Sequence, residues 1–175
     1  MHDPLRATPW TAAPQAGGPQ VMYQDLCEAL EALLHGETDP VATAANAAAA
    51  IYHSLPELNW AGFYFLRDNE LVLGPFQGQP ACVRIPLGNG VCGTAAAQRQ
   101  SILVPDVHAF PGHIACDANS RAELAVPLLA TTGHMEPRLL GVLDLDSPRP
   151  GRFDAADQAG CEALAAIVVR HLTPG

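Results

Sequence analysis

Residues 59–76 read NWAGFYFLRDNELVLGPF. Two runs rich in aromatic residues and leucine flank the polar quartet Arg67-Asp68-Asn69-Glu70, the pattern of two strands joined by a tight turn. A hairpin pairs its strands antiparallel, so a sheet grown around this one is antiparallel at its centre. Side chains alternate across a strand, and Trp60, Phe63, Tyr64 and Phe65 therefore cannot share one face. Trp60 and Tyr64 point to the same side, where they serve either as ordinary core or as the wall of a ligand pocket.

Toward the N-terminus, Tyr23, Leu26, Cys27, Leu30, Leu33 and Leu34 recur at three- and four-residue steps. That spacing predicts an amphipathic helix ending at Gly36, with Cys27 on its apolar face as a packing residue. Asp39-Pro40 offers an N-cap and a first-turn proline for a second helix, which runs through VATAANAAAAIYHSL to Pro56. Its alanines allow close approach of a neighbour. Residues 1–20 carry prolines at 4, 9, 14 and 19 and Gly17-Gly18, and are expected to form an arm without regular structure.

Toward the C-terminus, residues 82–86 predict a short strand, and Gly88-Asn89-Gly90 a turn into a helix over 91–99. A helix start offers free N–H groups to an anion, but the glycine spacing and lysine of a nucleotide fingerprint are missing. Ile102–Val104 predicts a strand. Residues 105–122 form a long loop carrying His108, His113 and Cys116, a length at which a functional loop or lid is expected. Strands over 123–130 and 138–145 are joined by TTGHMEP, and Asp154 caps a last helix reaching Leu172. Cys161, Leu164, Ala165, Val168 and Leu172 make its buried stripe, so Cys161 is read as structural, like Cys27. Two helices, roughly six mostly hairpin-connected strands and a closing helix describe an α+β domain, a central antiparallel sheet with helices packed on it. The expected organisation is the arm, 1–20, and one domain, 21–175.

Nine basic and eighteen acidic residues leave a net charge of −9, which argues against nucleic acid or an anionic membrane surface as partner. No apolar run approaches the ~18–20 residues of a membrane span, and the N-terminus lacks the layout of a secretory signal. Five cysteines, an odd number, in a 175-residue chain with ample core point to a reducing compartment, the cytoplasm.

Three of those cysteines, Cys82, Cys92 and Cys116, lie within residues 81–120, and Glu123, Asp144 and Asp146 follow. Gathered cysteines suit a metal, a structural disulfide or thiol redox chemistry. For zinc the candidate ligands are Cys82, Cys92, Cys116, His108 and His113, yet no C-x2-C pair or helical His pair frames them. The two histidines serve more readily to order their loop. Asp144 and Asp146 stand two apart on a strand and share a face, and clustering raises the pKa of at least one carboxyl. Taken singly, Asp146 suits a cap or turn before Ser147-Pro148.

The blocks NWAGFYFL, LVLGPFQG, CVRIPLGNGVCGTA, DVHAFPGHIACDANSRAEL and GVLDLDSPRPGRFDAAD closely resemble the free methionine-(R)-sulfoxide reductases, single-domain enzymes of the GAF fold. The resemblance covers about residues 21–172; the turn TTGHMEPR is longer than the usual family hairpin. It implies Cys116 as nucleophile, Cys82 as resolving cysteine and Cys92 as the third cysteine of the catalytic set. Glu123, Asp144 and Asp146 match the substrate-binding carboxylates, and Trp60 and Tyr64 the aromatic wall. The implied substrate is free L-methionine (R)-sulfoxide, the implied reductant a thioredoxin-type dithiol; no cofactor or metal is called for, and a homodimer is admissible. The competing reading is a non-catalytic GAF module that binds a small effector, for which three cysteines around one pocket would have no use.

Overall fold

The hairpin of residues 59–76 lies inside the sheet of the computed structural model, which describes residues 18–112, 118–131 and 136–173. In chain order the elements are α1 (Pro19–Leu34), α2 (Pro40–Ser54), β1 (Trp60–Arg67), β2 (Glu70–Gly78) and β3 (Arg84–Pro86). Then come α3 (Gly90–Gln98), β4 (Ile102–Val104), β5 (Ala122–Ala130), β6 (Arg138–Ser147) and α4 (Ala155–Leu172). The six strands form one sheet in the order β3-β2-β1-β6-β5-β4, antiparallel at every pairing. The β1–β2 turn places Asp68 and Asn69 at φ 46° and 68°, the left-handed pair that a tight hairpin needs and that short polar side chains tolerate.

Strand alternation divides the interior in two. Ala61, Phe63, Leu124, Leu128, Leu143 and Leu145 face the layer of α1, α2 and α4. Trp60, Tyr64, Leu71, Ala125 and Val142 face the other way, toward Val91, Cys92, Ala95 and Ala96 of α3. The second face holds the polar residues of interest. On the first, Arg152 forms a buried ion pair with Asp157 at 2.9 Å, and the Tyr23 hydroxyl donates to the same carboxylate at 2.8 Å. Gly160 makes room for the Tyr23 ring, since a Cβ there would sit 2.2 Å from it. These contacts fasten α1 to α4.

The antiparallel α+β architecture and the starts of α2 and α4 agree with expectation. Asp39 accepts hydrogen bonds from the N–H groups of Val41 and Ala42, and Asp154 and Asp157 build a capping box. Four local differences have simple causes. α1 opens at Pro19, because proline at the first helical position gives up no hydrogen bond. β3 begins only at Arg84, so Cys82 lies in the connection before it rather than in a strand. β6 continues through Asp146 to Ser147, its pairing with β1 and β5 overriding the turn tendency of Asp-Ser-Pro. Within 105–122, Val107–Ala109 make a 3-10 turn capped by Asp106, and the base of the segment is tied down. Arg121 pairs with Asp106 at 3.3 Å, accepts from the Val107 N–H at 2.8 Å and donates its own N–H to Ser147 at 2.8 Å. Cys161 is buried and Cys27 half-buried, both against the helical layer. No helix among the described residues is long and apolar enough to cross a membrane. Nearly all of the N-terminal arm lies outside the described residues.

Candidate active site

Register places the site. Trp60 of β1 pairs with Asp146 of β6, which pairs with Glu123 of β5, giving a row across three strands. Two residues along, Gly62 is opposite Asp144. The side chains of this row and the next project from the α3 face. Gly62 carries none, and a Cβ there would lie 2.3 Å from Phe76 Cβ and 2.7 Å from the Trp60 ring. The space lets Trp60 stack between Tyr64, at 5.9 Å, and Phe76, at 5.3 Å. Phe76 was not singled out from the sequence, because a β-bulge between Gly62 and Tyr64 shifts its register onto this face. The Trp60 indole N–H donates to the Gln79 carbonyl at 3.1 Å, and the Tyr64 hydroxyl to the Cys82 carbonyl at 3.0 Å.

α3 closes the floor. The thiol of Cys92, in its first turn, donates to Glu123 Oε1 at 3.7 Å. Glu123, Asp144 and Asp146 are all buried, at 7%, 6% and 9% exposure. Burial raises the Glu123 carboxyl well above its ordinary range, with the charges of Asp144 and Asp146 adding to it. Burial also lifts Asp144, to about 7, against hydrogen bonds from Cys92, Glu123 and the Leu145 backbone that favour its anion. Cys92 is pushed well up by burial and then by Asp144 and Glu123, so its thiol keeps its proton. One Asp144 oxygen, Oδ1, has no hydrogen-bond partner among the described residues. That oxygen is open to a hydrogen bond from a ligand or a water.

An arrangement of this kind costs stability, with a definite pH dependence. The folded pKa of Asp144 lies above its unfolded value, so its contribution is greatest below about pH 4 and is lost as pH rises toward 7. Asp144→Asn removes the charge. The variant should be more stable than wild type at pH 8, by roughly 1–4 kcal/mol, with the difference closing by pH 4. Denaturant unfolding of both proteins across pH 4–8 measures it, and a variant that is less stable at pH 8 would contradict this account of the cluster.

Cys92 Sγ and carboxylate oxygens of Glu123 and Asp144 lie within 4.8 Å of one another, the one group among the described residues able to surround a cation. The zinc set read from the sequence does not assemble among these residues: His108 is exposed and Cys82 is disulfide-bonded. Cys27, Cys92 and Cys161 are free thiols. Cys116 and His113 lie outside the described residues. Trp60, Tyr64, Cys92, Glu123, Asp144 and Asp146 thus converge on one face, with the Cys82 segment tethered beside them.

Comparison with known proteins gives the family. The GAF domain family matches residues 29–172. The chain is 51% identical over 150 residues to the free methionine-R-sulfoxide reductase of Escherichia coli, covering 86% of this chain and 88% of that protein. It is 40% identical to the Saccharomyces cerevisiae enzyme of the same name, over 84% of this chain and 83% of the yeast protein. The crystal structure of the Neisseria meningitidis free methionine-R-sulfoxide reductase with its substrate superposes with a TM-score of 0.84 at 39% identity. That match covers 93% of this chain and 95% of the other. With the family match over most of its length and these levels of identity and coverage, the chain belongs to the free methionine-R-sulfoxide reductases of the GAF domain family.

Proposed function

We propose that this chain reduces free L-methionine (R)-sulfoxide to methionine, with Cys116 as nucleophile and Cys82 as resolving cysteine. The observation that carries the reading is the buried cluster of Glu123, Asp144 and Cys92 beside the Trp60 ring, with Asp144 Oδ1 unsatisfied among the described residues. A sulfoxide sulfur becomes electrophilic when its oxygen receives a hydrogen bond or proton, and Glu123, held protonated by burial, is a suitable donor. An ionised aspartate in the same cluster holds the substrate's ammonium group, and the indole packs on its apolar end.

The Cys116 thiolate attacks sulfur, and the protonated sulfoxide oxygen passes to the Cys116 sulfur as its bond to the methionine sulfur breaks. Methionine leaves with its sulfur reduced by two electrons, and Cys116 is oxidised to sulfenic acid. The Cys82 thiol then displaces that hydroxyl as water, forming a disulfide, and an external dithiol supplies two electrons to reopen it by exchange. The disulfide-bonded state of Cys82, with Cys27, Cys92 and Cys161 free, supports this division of labour. Cys92 acts as a neutral hydrogen-bond donor within the site. The reading further takes residues 21–175 as the catalytic domain, the cytoplasm as the place of action, a thioredoxin-type dithiol as reductant and a homodimer as an admissible assembly.

The test is reductant consumption with the (R)- and (S)-sulfoxides of free L-methionine, run side by side with thiol counting. The expected result is turnover of the (R) epimer alone and loss of two thiols per turnover when reductant is withheld. A protein that binds but loses no thiols would be an effector-binding GAF module instead.

A further inference from the structure

The two aromatic residues of the pocket wall have polar ends, and both ends are spent on the same short segment. The connection from β2 to β3, residues 79–83, carries Cys82 and has no strand pairing to hold Gln79 to Cys82 in place. Trp60 grips its start through the Gln79 carbonyl at 3.1 Å, and Tyr64 grips the carbonyl of Cys82 itself at 3.0 Å. Trp60 and Tyr64 are 2% and 1% exposed, locked by stacking and by their places in β1. These are rigid struts from the sheet to a segment that is next held by the hydrogen bond from the Leu73 N–H to the Val83 carbonyl, at 2.9 Å, just past Cys82.

We infer that Tyr64 is a positioning residue for the resolving step, its hydroxyl holding the Cys82 backbone where the Cys82 sulfur can close the disulfide. This rests on the proposed role of Cys82. The hydrogen bond is present while Cys82 is disulfide-bonded, so it belongs to the geometry in which the bond exists. Burial and the neighbouring charge of Asp144 raise the Tyr64 phenol, so it remains a donor throughout the working pH range. A wall that merely packed on substrate would need the ring and not the hydroxyl; phenylalanine would then serve equally well.

Tyr64→Phe keeps the ring and deletes the donor, and it separates two steps of one turnover. Reduced protein is mixed with one equivalent of the sulfoxide and quenched at intervals. Methionine release, dimedone-reactive sulfenic acid and the Cys82 disulfide are followed in each sample. The variant should close the disulfide about three- to tenfold more slowly relative to its own methionine release, the range one neutral hydrogen bond commands. Sulfenic acid should then accumulate where the wild type shows little. In the reduced protein, iodoacetamide should also alkylate Cys82 several-fold faster in the variant, a readout independent of turnover. Equal slowing of both steps, with unchanged Cys82 alkylation, would reduce Tyr64 to a pocket wall and overturn the inference. A wild type that never forms a Cys82 disulfide would instead overturn the assignment of Cys82 on which it rests.

Discussion

Cys116→Ser should abolish methionine formation altogether, including the first equivalent, while Cys82→Ser should release about one methionine per chain and then stop. The difference follows from the two steps of the chemistry. Without the attacking thiolate no S–O bond breaks, whereas without the resolving thiol the first turnover ends in a stable sulfenic acid. Cys27, Cys92 and Cys161 are poor substitutes for Cys116. Burial pushes Cys161 up to about 12 and raises Cys27, and Cys92 is held protonated among carboxylates. A thiol without thiolate character does not attack sulfur at neutral pH. Cys27→Ser and Cys161→Ser, both away from the carboxylate site, should therefore leave turnover nearly intact. Single-turnover methionine release, with mass spectrometry of the quenched protein, decides the matter. One equivalent of methionine from Cys116→Ser would reassign the nucleophile, and a Cys92–Cys116 disulfide alone in oxidised wild type would move resolution to Cys92.

Blocking the substrate's α-amino group should cost on the order of a hundredfold or more in kcat/KM. Three carboxyl groups share one buried face, and Asp144 keeps an acceptor unsatisfied among the described residues. Desolvation has already been imposed on these groups by the fold, so a ligand that brings an ammonium recovers much of that cost. One that brings an acetylated nitrogen recovers little and leaves a buried acceptor unpaired. N-acetyl-methionine sulfoxide and methionine sulfoxide within a peptide should thus be very poor substrates compared with the free amino acid. The comparison requires the same sulfoxide epimer in all three forms. Similar kcat/KM values would mean that the carboxylates do not read the amine, and would point toward repair of protein-bound methionine.

Much of this protein could be read along the chain because the relevant signals are local. The alternation in NWAGFYFL, the Asp-Asn turn, the Asp39-Pro40 and Asp154 caps and the i, i+2 spacing of Asp144 and Asp146 each depend on a few adjacent residues. Backbone sterics and side-chain periodicity act on that scale. They suffice to specify the antiparallel α+β fold, and the side of β1 that carries Trp60 and Tyr64.

The depth of the site was decided elsewhere. Glu123 meets Asp146, and Gly62 meets Asp144, only through the register of β1, β6 and β5, residues far apart in sequence. α3 must then bury them before any carboxyl is raised, because desolvation is a property of the packed neighbourhood and not of the residue. Phe76 joins the aromatic stack through a bulge, and Asp146 becomes a strand residue through pairing that outweighs its local turn tendency. The tether from Tyr64 to Cys82 spans eighteen positions and runs from a ring hydroxyl to a backbone carbonyl. Sequence periodicity assigns a residue to a face, but only the closed sheet determines which distant backbone atom that residue's polar end will reach.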